Sequence, residues 1–185
     1  MLSCGNDACR GRAGKLARAG AALGDVVAAY LVAVDFSECS LRAFAWAVAR
    51  AEAVGASLCA VHVLAPPAPL PSVDVAISPA FGPGSSERLN IHAAEQALED
   101  LIKGCRVPCT EEVRVGDVVS EIVSAVSEQR PDLLVMGSHG RTGIKRFVLG
   151  SVSESVLRRA TCPVMVVPKG ASDSGELAAV RQAND

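Results

Sequence analysis

Aromatic residues are scarce in this chain: one Trp, one Tyr and four Phe among 185 residues. A platform that stacks single-stranded RNA or DNA needs several such rings along a basic groove, so that class is excluded. Charge agrees, because 18 basic and 20 acidic side chains leave a formal net charge of −2, with no sign bias to draw a polyanion along a whole face. No apolar run in the first two dozen residues is long enough for a membrane span or a secretory core. The seven cysteines (Cys4, Cys9, Cys39, Cys59, Cys105, Cys109, Cys162) include no C-x-x-C, and no histidine stands at zinc-ligand spacing. Reduced, mostly buried thiols in the cytoplasm are therefore expected. Cys105 and Cys109 could make a redox pair, but strand entry at Pro108 is expected to hold them apart. The chain also has neither G-x-x-x-x-G-K-S/T nor G-x-G-x-x-G, which removes the P-loop and the dinucleotide fingerprint.

What is present is apolar and regular. Half of the residues are hydrophobic and the length suits one domain, so a substantial core can form. Residues 1–24 carry Arg10, Arg12, Lys15 and Arg18 against Asp7 alone and read as a disordered extension, with an organelle transit segment as the alternative. From residue 25 to 168, strand and helix patterns alternate. Strands are expected at 26–34, 57–64, 109–115, 132–136 and 164–167. Helices are expected at 37–54, ending at Gly55; at 87–103, with Leu89, Ala93, Ala97, Leu98 and Leu101 as its apolar stripe; at 118–129, capped by Asp117; and after Gly150, with Ser151 as N-cap. Residues 65–86 hold six prolines and two glycines and read as a long loop. Residues 169–185 form a polar tail. Such alternation implies a doubly wound α/β domain, a five-stranded parallel sheet with helices on both faces.

The stretch richest in chemistry is Gly137-Ser138-His139-Gly140, then nine residues, then Gly150-Ser151. The strand ending in Met136 delivers the first glycine and a helix follows the last. Glycines permit close backbone approach, and a helix N-terminus offers free N–H groups and a positive dipole end to an anion. From Gly137 to Ala160 five cations (Arg141, Lys145, Arg146, Arg158, Arg159) face one acid, Glu154, a local +4 on a chain of −2. A small anionic ligand fits that pattern. His139, between two motif glycines, is expected to offer its backbone or to face solvent rather than act as a general base. His62 is expected to pack at its strand end and His92 to lie on an exposed helix.

Taken with Val34-Asp35-Phe36-Ser37-Glu38 after the first strand and Val61-His62-Val63-Leu64 at the end of the second, this spacing resembles the universal stress protein family in its ATP-binding form, over roughly Val26 to Pro168. The resemblance implies a Rossmann-like sheet in the order 3-2-1-4-5. It also implies that Gly137, Gly140, Gly150 and Ser151 hold a triphosphate, with the backbone of Met136, Ser138, His139, Arg141 and Val152 beside them. Asp35 would hold the ribose, although its position equally suits a cap on the first helix. Val63 would meet adenine through its backbone. The ligand expected is ATP with Mg2+, and the partner a second copy joined along Val164, Met165, Val166 and Val167. No acid–base pair aims at a γ-phosphate, so a nucleotide-responsive stress regulator is the leading reading. A slow ATPase or nucleotidyl-transfer enzyme and a ligand-free dimerising scaffold are the alternatives.

Overall fold

The computed structural model describes residues 28–66, 85–139 and 149–168. The N-terminal extension, most of the Pro-rich loop, Gly140, Arg141, Lys145, Arg146 and the polar tail lie outside the described residues. In chain order the elements are β1 (Ala29–Ala33), α1 (Glu38–Val54), β2 (Ser57–Leu64), α2 (Ser85–Ile102), β3 (Cys109–Val115), α3 (Val118–Gln129), β4 (Leu133–Gly137), α4 (Ser151–Arg159) and β5 (Val164–Val167). All strand pairs are parallel and the sheet runs β3-β2-β1-β4-β5. This is the expected 3-2-1-4-5 order, with the winding reversing between β1 and β4.

Strand alternation builds two cores. Tyr30, Val32, Leu58, Ala60 and Val135 face one side and meet Ala43, Phe44 and Ala47 of α1 and Ala94 and Leu98 of α2. Leu31, Cys59, Val61, Leu134 and Met136 face the other and meet Ile122, Ala125 and Val126 of α3 and Val156 of α4. Small alanines on α1 let that helix lie close to the sheet.

Local chemistry sets the helix ends. Ser37 caps α1, its hydroxyl accepting from the Ser40 amide at 3.3 Å, and Gly55 ends the helix in the left-handed region at φ 70°. Asp117 caps α3 by accepting from the Ser120 amide at 3.0 Å, and Arg130 at φ 48° ends it just before Pro131. The Ser120 hydroxyl and amide hold the Asp117 carboxyl below its ordinary range.

Four expectations need correction. β1 ends at Ala33, where pairing stops, and not at Val34; residues 26 and 27 of the expected strand lie outside the described residues. β4 sits one residue later than 132–136: the Asp132 amide donates to the Ala29 carbonyl and its carboxylate accepts from the Ala29 amide, both at 2.8 Å, so Asp132 closes the entry to the strand instead of extending it. Helix α2 begins at Ser85 inside the expected loop, and its buried positions are Ala94 and Leu98, whereas Leu89 is 65% exposed. Finally, Gly150 and not Ser151 is the N-cap of α4, and no side chain caps that end.

The outer strand β3 is secured by charge. Arg114, only 11% exposed, pairs with Glu112 at 2.7 Å, Glu128 at 2.6 Å and Glu121 at 3.5 Å, and Gln129 donates to Glu112. This cluster ties β3, an edge strand of the sheet, to α3.

Candidate functional site

At the reversal point the C-terminal ends of β1 and β4 part and leave a crevice of about 170 Å³ between the first turns of α1 and α4. Open α/β sheets take ligands there. Asp35, Val63, Met136, Gly137, His139, Gly150, Ser151 and Val152 line it, so most of the sequence-derived set converges on one cavity. Ser138 lies behind the wall, 6% exposed. Gly140 and Arg141 fall outside the described residues.

The turn after β1 is tightly organised. Asp35 accepts from the Ser37 amide through Oδ1 at 2.9 Å, and its own amide donates to Ser40 Oγ at 3.2 Å. Asp35 therefore shapes the start of α1 with one oxygen while lining the crevice. Phe36 sits between them at φ 59°, a left-handed conformation that costs a non-glycine residue about 1–2 kcal/mol. The His62 ring packs on it, centroids 5.0 Å apart, and His62 Nδ1 lies 2.6 Å from the Val34 carbonyl. A carbonyl only accepts, so Nδ1 carries the proton. The buried His62 thus pins both sides of the strained turn.

Val63 is exposed to the crevice by register. Pairing of β2 with β1 ends at Ala33↔Val61, and β2 continues to Leu64. The Val61 carbonyl accepts from the Val34 amide on the β1 side, whereas the Leu64 carbonyl accepts from the Gly116 amide beyond β3. Backbone groups alternate sides along a strand, so the Val63 N–H and C=O turn toward the crevice.

The two described glycines of the loop motif serve contact. A β-carbon on Gly137 would stand 2.8 Å from the Cys39 carbonyl carbon and 2.9 Å from the Ser40 nitrogen, so glycine here lets the end of β4 touch the first turn of α1. On Gly150 it would stand 3.0 Å from the Ser138 carbonyl oxygen, which accepts from the Gly150 amide at 2.8 Å and draws the two ends of the loop together. Ser153, buried on α4, donates to the Gly137 carbonyl at 2.8 Å, and Ser37 Oγ reaches the His139 carbonyl at 3.5 Å.

His139 corrects the sequence expectation. Its Nδ1 is 2.9 Å from Ser138 Oγ, and its Nε2 is shielded from solvent with no hydrogen-bond partner among the described residues. A shielded polar atom left unpaired costs about 1–3 kcal/mol, so this atom presents an unmet valence in the crevice wall. The basic island is divided as well. Arg158 and Arg159 occupy the last turn of α4, where Arg158 pairs with Glu154 at 2.9 Å, about 10 Å along the helix from Ser151. They complement the C-terminal end of the helix dipole and not the crevice. The residues that sequence reasoning missed include Ser40, Ser153, Val118 and Ile122 on the helices, which also line the cavity. A hydroxyl or a valine inside a helical pattern carries no signal until the helix is placed.

Fold and site together define a doubly wound α/β domain with an uncapped helix N-terminus facing a switch-point crevice. The family model described as the universal stress protein family matches residues 30–168, and the chain belongs to that family. It is 33% identical over 148 residues to universal stress protein MJ0531 of Methanocaldococcus jannaschii, a match covering 75% of this chain and 81% of that one. Among solved structures it is similar to protein MJ0577 of the same organism (TM-score 0.64, 26% identity, 78% of this chain and 98% of the other). It is also similar to a universal stress protein solved in complex with cAMP (TM-score 0.53, 28% identity, 76% and 95%).

Proposed function

We propose that this chain binds an adenine nucleotide in the β1/β4 crevice, with ATP and its Mg2+ as the leading occupant, and works as a stress-response regulator whose occupancy is read through the glycine loop and a homodimer surface. The observation that carries the reading is that the uncapped N-terminus of α4, Asp35 and His139 line one cavity at the switch point of the sheet. An anion placed there meets the free amides and the positive dipole end of α4. The Val63 backbone lies where a base could be read, and Asp35 lines the same crevice where a ribose would sit. The cAMP complex of a relative is consistent with adenine chemistry. In this reading neither nucleic acid nor a membrane takes part and the protein works in the cytoplasm.

The test is mass spectrometry of small molecules released by denaturing freshly purified protein, with Gly140→Val processed in parallel. Adenine nucleotide from the wild type alone is expected, together with a rise in melting temperature when Mg-ATP is added. At one hundred times Kd that stabilisation is about 2.7 kcal/mol. Neither sample releasing nucleotide, with no shift on added Mg-ATP, ATP, AMP or cAMP, refutes the reading.

A further inference from the structure

Among the described residues, two that are not glycine hold a left-handed backbone: Arg130 at φ 48° and Phe36 at φ 59°. Arg130 has a local reason, because it ends α3 and helix ends commonly take that conformation. Phe36 ends no helix. It stands between Asp35, which lines the crevice, and Ser37, which caps α1, so strain is stored at the edge of the candidate site and must be held there by the surrounding structure.

His62 supplies the hold. Its neighbours on β2, Val61 and Val63, pack on the α3/α4 side of the sheet and line the crevice, and strand alternation turns His62 to the opposite face, where it is buried. There its Nδ1–H donates to the Val34 carbonyl at 2.6 Å and its ring packs on Phe36, centroids 5.0 Å apart. The Val34 amide is tied to the same strand, donating to the Val61 carbonyl at 2.8 Å. Asp35 is thus gripped from both sides, by Val34 before it and by Phe36 after it. His62 is bonded to Val63 in the chain, so one residue links the Val63 backbone to the turn that carries the Asp35 carboxylate.

We propose that His62 is a positioning residue for the sugar of the bound nucleotide: it fixes the Asp35 carboxylate relative to the Val63 backbone and so gives the site its preference for a ribose that carries hydroxyl groups. The inference rests on the adenine-nucleotide reading above. His62 does not line the crevice and acts through Asp35. A carboxylate oxygen takes a hydroxyl only within about 3 Å, so a turn that loosens by a fraction of that distance forfeits the bond. The phosphate end of the crevice is built by β4 and α4, on the other side of β1 from β2. Loosening the turn therefore acts on the sugar and spares the phosphates.

The test is calorimetric titration of the full chain with Mg-ATP and with Mg-2′,3′-dideoxy-ATP, which lacks both ribose hydroxyls. Wild type is expected to bind ATP about tenfold tighter or more, the value of a hydrogen bond to a charged group. His62→Phe keeps a ring against Phe36 and removes the Nδ1–H, whereas Phe36→Gly takes the left-handed backbone freely and removes the ring that His62 grips. Each should weaken ATP about tenfold and leave dideoxy-ATP within about twofold, so that the preference disappears. Asp35→Ala should abolish the preference by itself, and adding His62→Phe to it should change the preference no further, as expected of two residues acting as one unit. A purely structural role would instead lower both affinities together. Equal weakening of both nucleotides, an unchanged preference in either turn variant, or a further change when His62→Phe joins Asp35→Ala overturns the proposal. A wild type that binds both nucleotides equally overturns it and leaves the adenine-nucleotide reading standing, while a wild type that binds neither overturns both.

Discussion

Gly137 stands where β4 meets the first turn of α1, and its missing side chain is explained by protein contact before any ligand is considered. Gly137→Ala would push a methyl into Cys39 and Ser40 backbone, and overpacking of this kind costs about 1–3 kcal/mol. A lower denaturation midpoint is expected, and an unchanged one would show that the turn yields freely. His139 differs, because its Nε2 contributes nothing to the fold as described. His139→Ala should leave the midpoint within about 1 kcal/mol, the net value of one neutral hydrogen bond. If the site takes a nucleotide phosphate it should weaken that binding about tenfold or more, since hydrogen bonds to charged groups contribute about 1.5–3 kcal/mol. Calorimetric titration of wild type and variant separates the two effects. Both glycines and the histidine were legible as a motif. That Gly137 serves packing was not, because it depends on Cys39 and Ser40, about one hundred residues away in sequence, and neither was the shielding of the histidine Nε2.

Helix ends were the most legible elements, since their signals are local. Ser37, Gly55 and Asp117 take the positions their chemistry suggests. The Asp117 carboxyl titrates below its ordinary range because Ser120 hydrogen-bonds its charged form. A depressed folded value means that the stabilisation is present above the unfolded value and is lost as pH falls through the carboxylate range. Asp117→Ala should therefore melt lower than wild type at pH 7, and the gap should close as pH drops below about 4. Thermal scans at several pH values check this, and a gap independent of pH would point to a cap without charge. Gly150 and Asp132 were misread for one reason. Ser151 looks like a cap and Asp132 like a strand start until the Ser138 carbonyl takes the Gly150 amide and Ala29 takes both Asp132 groups. Of the expected apolar stripe of α2, Leu98 is buried and Leu101 packs on the core, whereas Leu89 is exposed and Ala94 takes an inward place, because which apolar residues face inward depends on how the helix is rolled on the sheet.

At the scale of the molecule, β5 is an outer strand, and its side chains divide cleanly. Val167 is buried and Val166 packs on the α3/α4 core, while Met165 is 39% exposed. A charge at Val166 would disturb the core itself, so the informative change for the proposed dimer is Met165→Glu. A dimer in light scattering that becomes a monomer with Met165→Glu, at an unchanged melting temperature, is the expected outcome. A dimer that persists would place the contact elsewhere.

Strand and helix alternation, most element boundaries, the sheet order implied by family resemblance and the glycine motif were all determined by the sequence itself, because periodicity, capping and turn chemistry act over a few residues. Tertiary structure decided what each motif residue touches. It buried Ser153 under Gly137, strained Phe36 against His62 and sent Arg158 and Arg159 to the far end of α4. Those outcomes depend on the roll of helices, the register of strands and the path of a turn, which emerge only when distant segments compete for the same space.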